Sequence, residues 1–343
     1  MDHLANLVQI GLYFGAAFIL SFALTPAFTA FLYKNKIGKQ IRDYDVSGGK
    51  SIIFNALHKN KAGTPTMGGL LIWLTTCIIS LPFFFDTSPL DPKRGFFLLP
   101  LFTLVTTGIL GAVDDYFNIR QIGKHKGLAP KPKIFWLTTF ALIGALWFYF
   151  KLNYSSIHIP SIGDFQIGLW YIPLFIFIII GTSNAVNVTD GLDGLAGGLL
   201  ITSYTAYAII AYTQGLIVLS IFCAIIVGAL TSFLWFNIPP ARFFMGDTGS
   251  LSLGATLGVI AMLTNTVIIL PIIAFIFVIE ILSSMIQITS KKFFHRKVFA
   301  IAPFHHLLEY KGWPEYKITM RLWIIGGFMA FLGTILAILG SGA

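Results

Sequence analysis

The stretch from Gly95 to Tyr116 reads GFFLLPLFTLVTTGILGAVDDY. It runs without a charge as far as Val113 and then meets two adjacent carboxylates, Asp114 and Asp115. Such a run is long enough to cross a bilayer. A basic segment follows at once, with Arg120, Lys124, Lys126, Lys131 and Lys133. Two neighbouring acids at the end of a membrane span repel one another unless a cation sits nearby. The natural partner is a hard divalent metal, or the positive field around a phosphate substrate. Taken alone, a solvated helix end explains the pair equally well. The rest of the chain decides between these readings.

The 343 residues are 56% hydrophobic and 11% charged, with a mean hydropathy of +0.81. An ordinary soluble domain carries about 25% charged residues. The composition therefore indicates an all-α integral membrane protein, a helical bundle and not a barrel. No Lys or Arg precedes the first apolar run, which argues against a cleavable signal peptide. Cys77 and Cys223 lie inside apolar runs and read as packing residues.

Ten spans are expected, at roughly 10–33, 67–85, 96–113, 134–150, 167–186, 195–213, 216–236, 249–264, 267–289 and 321–340. The connecting segments 34–66, 114–133, 187–194, 237–248 and 290–320 then share one side. With Arg321 at its edge, that side holds 20 of the 23 Lys and Arg residues. Lys93, Arg94 and Lys151 fall on the other. The basic side is cytoplasmic by the positive-inside rule, and an even span count puts both termini outside. The net charge of +9 is thus topogenic, with attraction to anionic lipid and substrate, and gives no reason to expect nucleic acid. Residues 151–166 read as a small outer hairpin. The whole chain, 1–343, reads as one polytopic membrane domain.

The cytoplasmic segments carry nearly all the unusual polar motifs. Lys61–Gly69 reads KAGTPTMGG. Its lysine and threonines suit a phosphate or nucleotide, although Thr64 as a helix cap with Pro65 in the first turn explains the Thr-Pro pair as well. Lys126 and Lys133 follow the acidic pair; lysines beside metal-binding acids are what phosphoryl chemistry requires. Residues 184–194 read NAVNVTDGLDG. A helix would put Asp190 with Asp193 and Asn184 with Asn187; a break at Gly191 and Gly194 would put the acids on a tight loop. Either arrangement gathers polar groups at the membrane surface, where they are costly unless paired or used. Asn237 ends the seventh span before Pro239-Pro240. Phe244–Ser250, FMGDTGS, lacks the Gly-Lys-Ser/Thr ending of a P-loop and places Asp247 at the start of the eighth span. Glu280 lies near the middle of the ninth span, with no role assigned. His305 and His306 are poor metal ligands as neighbours and suit a sugar or phosphate better.

Together KAGTPTMGG, Asp114-Asp115, NAVNVTDGLDG, FMGDTGS and Pro303–Glu309 with Lys311-Gly312-Trp313-Pro314 resemble the polyprenyl-phosphate N-acetylhexosamine-1-phosphate transferases. Within these they resemble the phospho-N-acetylmuramoyl-pentapeptide transferase branch, over nearly the whole chain. The resemblance implies transfer of phospho-MurNAc-pentapeptide from UDP-MurNAc-pentapeptide to undecaprenyl phosphate, giving lipid I and UMP. It implies magnesium, the bacterial cytoplasmic (inner) membrane and a homodimer. It also implies roles. Asp247 would be the leading magnesium ligand, joined by Asp114 and Asp115 at the phosphates, with Asp114 activating the lipid phosphate. Lys61, Asp193, Asn237 and Phe244 would surround the uracil, Phe244 stacking on it. Thr66, Lys133, Asn187 and Asp190 would line the nucleotide and phosphate region, and His305 and His306 would recognise the sugar-peptide. Direct attack by the lipid phosphate is favoured over a covalent aspartyl intermediate, because a phosphate dianion is already nucleophilic.

One departure stands out. Leu307 occupies the place of a third consecutive histidine, which weakens the donor-sugar assignment. A transferase moving GlcNAc-1-phosphate is the alternative within the superfamily. An anion transporter is the alternative outside it, but transporters place ionisable groups near the midplane, where only Glu280 lies.

Overall fold

The computed structural model describes residues 2–38, 61, 63–85, 95–122 and 127–341. Lys93, Arg94, Lys124 and Lys126, and most of segment 34–66, lie outside the described residues. The described residues are mostly helical. In order come α1 (Asp2–Lys34), α2 (Gly69–Ser80), α3 (Pro82–Phe85), α4 (Gly95–Ile119), α5 (Pro130–Phe150), β1 (Ser156–Ile159) and β2 (Gly163–Gln166). Then follow a 3-10 turn (Gly168–Trp170), α6 (Tyr171–Thr189), α7 (Leu195–Thr213), α8 (Ile217–Asn237), α9 (Gly246–Leu263), α10 (Leu270–Ile273), α11 (Phe275–Phe294), α12 (Phe304–Tyr310) and α13 (Glu315–Ser341). Seven of these helices are long and apolar enough to cross a membrane: α1, α4, α5, α6 with its 3-10 turn, α7, α8 and α13.

The expected spans at 67–85, 249–264 and 267–289 also hold helices, but of a different kind. Leu81 separates α2 from α3, with Pro82 opening the next turn. The 267–289 segment is broken at Ala274, between α10 and α11. In α9 every residue except Asp247 is buried. It packs on α4, α6 and α2, while α8 packs on α1 and α7. A helix enclosed by protein has no need of lipid-facing apolar residues, and α9 is rich in Gly, Ser and Thr. Its hydroxyls turn back to its own backbone: Ser252 Oγ to Thr248 O at 2.8 Å, Thr256 Oγ1 to Ser252 O at 2.8 Å. Small residues let helices approach closely, which is the usual basis of helix association in lipid. At Gly111 of α4 a Cβ would run into the backbone of Asp247 and Thr248.

The outer hairpin is present, with Ser156 opposite Gln166 and Ile159 opposite Gly163. The capping role considered for Thr64-Pro65 is not. Helix α2 starts only at Gly69. Pro65 instead lies in extended backbone, bridged to Gly38. Phe244 N donates to Pro65 O at 2.8 Å, Gly68 N to Phe244 O at 2.8 Å, and Gly69 N to Met245 O at 2.9 Å. Residues 65–69 thus form a rail against the loop that opens α9.

The close approach at Gly111 gives a direct test of the packing. Gly111→Ala is expected to force α4 away from the start of α9 and to destabilise the protein by about 1–3 kcal/mol, as overpacking does. Thermal unfolding in detergent would register this as a lower midpoint, and an unchanged midpoint would mean that the two helices are not packed this closely.

Candidate active site

Antiparallel packing brings the end of α4 and the starts of α5 and α9 to one end of the bundle. There the Lys133 ammonium lies between two carboxylates. Its Nζ is 3.0 Å from Asp114 Oδ2 and also donates to Asp247 Oδ2. Asp114 Oδ1 accepts from Leu128 N at 2.6 Å. Asp247 Oδ1 accepts from Asn187 Nδ2 at 2.8 Å, and the same amide reaches Ser250 Oγ at 2.9 Å. Asp114 is nearly buried, whereas the side chain of Asp247 is 27% exposed, so the clamp opens on the Asp247 side.

Asp115 faces elsewhere. Its Oδ1 accepts from Asp247 N at 3.2 Å, and its Oδ2 from Thr248 N at 3.0 Å and Thr248 Oγ1 at 2.7 Å. It therefore caps α9 from a neighbouring helix, with its charge at the positive end of the helix dipole. The three acids expected to share one metal are divided in this way, since adjacent side chains on a helix point about 100° apart. Among the described residues no three His, Cys, Asp or Glu side chains are grouped to hold one ion. Asp114 and Asp247 remain as a pair. The buried Thr66 hydroxyl has no hydrogen-bond partner among the described residues; it lies beside Gly246 together with Asp115 Oδ2.

A second clamp is centred on Lys61. Its Nζ donates to Asp193 Oδ1 at 2.6 Å and to Glu315 Oε1. Glu315 Oε1 also accepts from Asp193 N at 2.6 Å, and Asp193 Oδ2 from Ala241 N at 2.9 Å. Burial pulls the Lys61 ammonium down, but the charges of Asp193 and Glu315 outweigh it and hold the lysine above its usual range. The Phe244 ring is half-buried, with its centroid 5.9 Å from Lys61 Nζ, while Phe243 is fully buried in the core. Asn237 ties two loops together: its Oδ1 accepts from Gly194 N at 3.0 Å, and its Nδ2 donates to Phe243 O at 2.8 Å.

The 184–194 segment resolves into a helix end and a tight loop. Asp190 follows α6 as its C-cap, and Gly194 is left-handed with φ 76°. Asn187 joins the first clamp and Asp193 the second. Asn184 Nδ2 donates back to its own helix, at Ile180 O, and Asp190 is half-buried at the start of the loop. His305 and His306 lie in α12, both buried, with ring centroids 4.1 Å apart. His306 Nδ1 lies 2.6 Å from Glu309 Oε2. Glu315 escaped the sequence reading, which started the last span at 321. Pro314 followed by an acid is a helix-start signal that would have placed it in the first turn of α13.

The Lys61 clamp has a distinct pH signature. A lysine held above its unfolded value contributes stability that is complete below that value, about 10.4, and is lost as pH rises through the folded one. Lys61→Met is expected to lower the unfolding midpoint by the same amount at pH 7 and pH 9, with the gap closing only above about 10.4. A gap that narrows between pH 7 and pH 9 would contradict this assignment.

Comparison with known proteins agrees with the motifs. A family model described as Glycosyl transferase family 4 matches residues 97–265, which include both partners of Lys133. A model described as Phospho-N-acetylmuramoyl-pentapeptide-transferase signature 1 matches residues 61–72, which include Lys61 and the rail. The chain is 40% identical over 327 residues to the phospho-N-acetylmuramoyl-pentapeptide-transferase of Anoxybacillus flavithermus, covering 93% of this chain and 95% of that one. It is 39% identical over 338 residues to the protein of that name from Chloroflexus aggregans, covering 94% and 88%. It is 39% identical over 320 residues to that from Bacillus thuringiensis, covering 93% and 95%. On this identity across almost its full length, the chain belongs to the phospho-N-acetylmuramoyl-pentapeptide-transferase family.

Proposed function

We propose that this protein transfers phospho-N-acetylmuramoyl-pentapeptide from its uridine diphosphate carrier to undecaprenyl phosphate, as a multi-pass protein of the bacterial cytoplasmic membrane. The observation that carries the reading is the Lys133 clamp: one cation and two carboxylates, from three separate helices, at the end of the bundle. In the transfer an oxygen of the lipid phosphate forms a bond to the β-phosphorus of the donor. The bond from that phosphorus to the bridging oxygen breaks, and UMP leaves with the electron pair. Little covalent work falls to the protein in such a displacement; positioning and charge do most of it. Lys133 offsets negative charge on the phosphates, and Asp114 orients the attacking lipid phosphate. Lys61, Asp193 and Phe244 face the uridine, with Asn237 holding their loops, while Thr66, Asn187 and Asp190 border the phosphates.

Magnesium fits the Asp114–Asp247 pair. Their oxygens already converge on one ammonium, and the two carboxyl groups outnumber that single lysine. A magnesium ion needs only one or two carboxylates and keeps several waters. When bound, it supplies charge neutralisation at the phosphates. Asp115 supports it from behind by fixing the helix turn that carries Asp247. The active end faces the cytoplasm in this reading, supported by the charge asymmetry of the connecting segments. Ten spans, one polytopic domain and outer termini complete the topology, supported by helices in all ten expected segments. A homodimer is proposed from the family likeness alone; cross-linking in native membranes is expected to trap two copies, and trapping only monomers would reject it.

Activity is read as UMP release by detergent-purified protein supplied with undecaprenyl phosphate, magnesium and a UDP-sugar. Release is expected with UDP-MurNAc-pentapeptide and not with UDP-GlcNAc. A chelator should abolish it, and Asp247→Asn should lower kcat about 100-fold or more. Release with UDP-GlcNAc alone would move the protein to the sister reaction and make Leu307 the informative residue. Silence with both donors, from folded protein, would overturn the reading.

A further inference from the structure

Glu280 takes part in neither lysine clamp, yet it is fully buried in α11. Its oxygens lie 3.2 and 3.3 Å from the backbone nitrogen of His305, and Oε2 lies 3.0 Å from His305 Nδ1, off the line of a good hydrogen bond. His305 is itself fully buried. A carboxylate beside Nδ1 favours the tautomer that carries its proton there, and so leaves Nε2 bare. Nε2 has no hydrogen-bond partner among the described residues. It is aimed at Gly191, where an added Cβ would collide with it and lie 3.0 Å from Cε1. Gly191 opens the loop whose Asp193 holds Lys61 and Ala241 N.

A buried carboxylate and imidazole are costly to desolvate, and apolar side chains could fill the same space without that cost. What the pair adds is direction. The carboxylate accepts from the start of α12 at His305 N and lies against the imidazole ring at Nδ1. The ring in turn bears on a residue with no side chain to absorb a displacement.

We infer that Glu280 is a positioning residue: through His305 it fixes the loop from Asp190 to Gly194, and with it the Lys61–Asp193 clamp. This rests on the proposed uridine-facing role of that clamp. His305 then supports the donor pocket from behind, and direct contact with the sugar-peptide is left to His306.

The test compares Glu280→Gln, Gly191→Ala and the double variant with the wild type. Glu280→Gln removes the charge at constant size, and Gly191→Ala pushes on the ring from the other side. Each single variant should raise KM for the UDP donor about tenfold and leave kcat within about twofold, the pattern of lost binding in ground and transition states alike. The double variant should stay near tenfold and not reach a hundredfold, because both changes act through one ring. A fall in kcat at unchanged KM would signify only lost folded enzyme and would overturn the proposal, as would multiplying effects. Hydrogen exchange at residues 190–194 gives a readout that needs no turnover. Exchange should quicken in both single variants, and unchanged exchange in Glu280→Gln rejects the strut. If the wild type releases no UMP, the functional reading fails while exchange still decides the role of Glu280. If Glu280→Gln does not fold, Glu280→Asp, which keeps the charge but draws it back by one methylene, carries the same measurements.

Discussion

A single ammonium between two carboxylates holds the polar end of this bundle together. Lys133, Asp114 and Asp247 come from three helices, and no local structure forces them to meet. Partial burial strengthens their attraction relative to water. It also makes each member dependent on the others, because removing one partner leaves an uncompensated charge in a poor solvent. The clamp therefore fixes helix ends more than it adds net stability. Asp115 extends the constraint by holding the first turn of α9, so that Asp247 is fixed by both its backbone and its carboxylate.

That constraint operates only because the helices approach closely. In lipid, helices gain nothing from hiding apolar side chains from water, and close packing does the work instead. The contrast between α1 and α9 shows the outcome. Helix α1 exposes Leu4, Leu12 and Ile19, as a lipid-facing helix should. Helix α9 hides almost everything it has and uses small residues throughout. The helix built from small residues is thus the more deeply buried one. Its Gly, Ser and Thr residues, and not its hydropathy, mark it as a helix enclosed by its neighbours.

The same contrast explains what the sequence could show. The seven apolar helices and the outer hairpin were legible because hydropathy and turn residues are local signals. Asp114, Asp193 and Asp247 were legible as residues out of place at a membrane edge, and Lys61 and Lys133 as cations suited to a phosphate. Which of them pair was not legible, nor was Glu315. Glu315 bonds a lysine that lies 254 positions away in the chain, and nothing near it in sequence hints at this. Adjacency also misled. Asp114 and Asp115 suggested one shared task, but neighbouring positions on a helix diverge, and one of them became a cap. Thr64-Pro65 has the form of a helix start, but Pro65 instead opens the rail, because its carbonyl accepts from Phe244 N. Glu280 was conspicuous as a buried acid, and only the approach of His305 shows what it holds.

The rail links the two clamps. Lys61 precedes it in the chain and lies beside Phe244. At the other end the chain turns into α2, bonded to the backbone at Phe244 and Met245, two residues before Asp247. Phe244 and Asp247 are therefore three positions apart in a segment held on both sides. Such a segment spans roughly 10 Å at full extension and less when it turns into a helix. Its length cannot vary without breaking the pairing at Pro65, Gly68 and Gly69. In the proposed reading Phe244 meets the base and Asp247 the phosphates, so this segment sets the distance between them. A ligand built from one base and a short phosphate chain suits a spacing of that kind. A ligand with either part alone would engage only one of the two clamps. This gives a physical reason for two lysine–carboxylate clusters where the chemistry of the transfer itself requires only one.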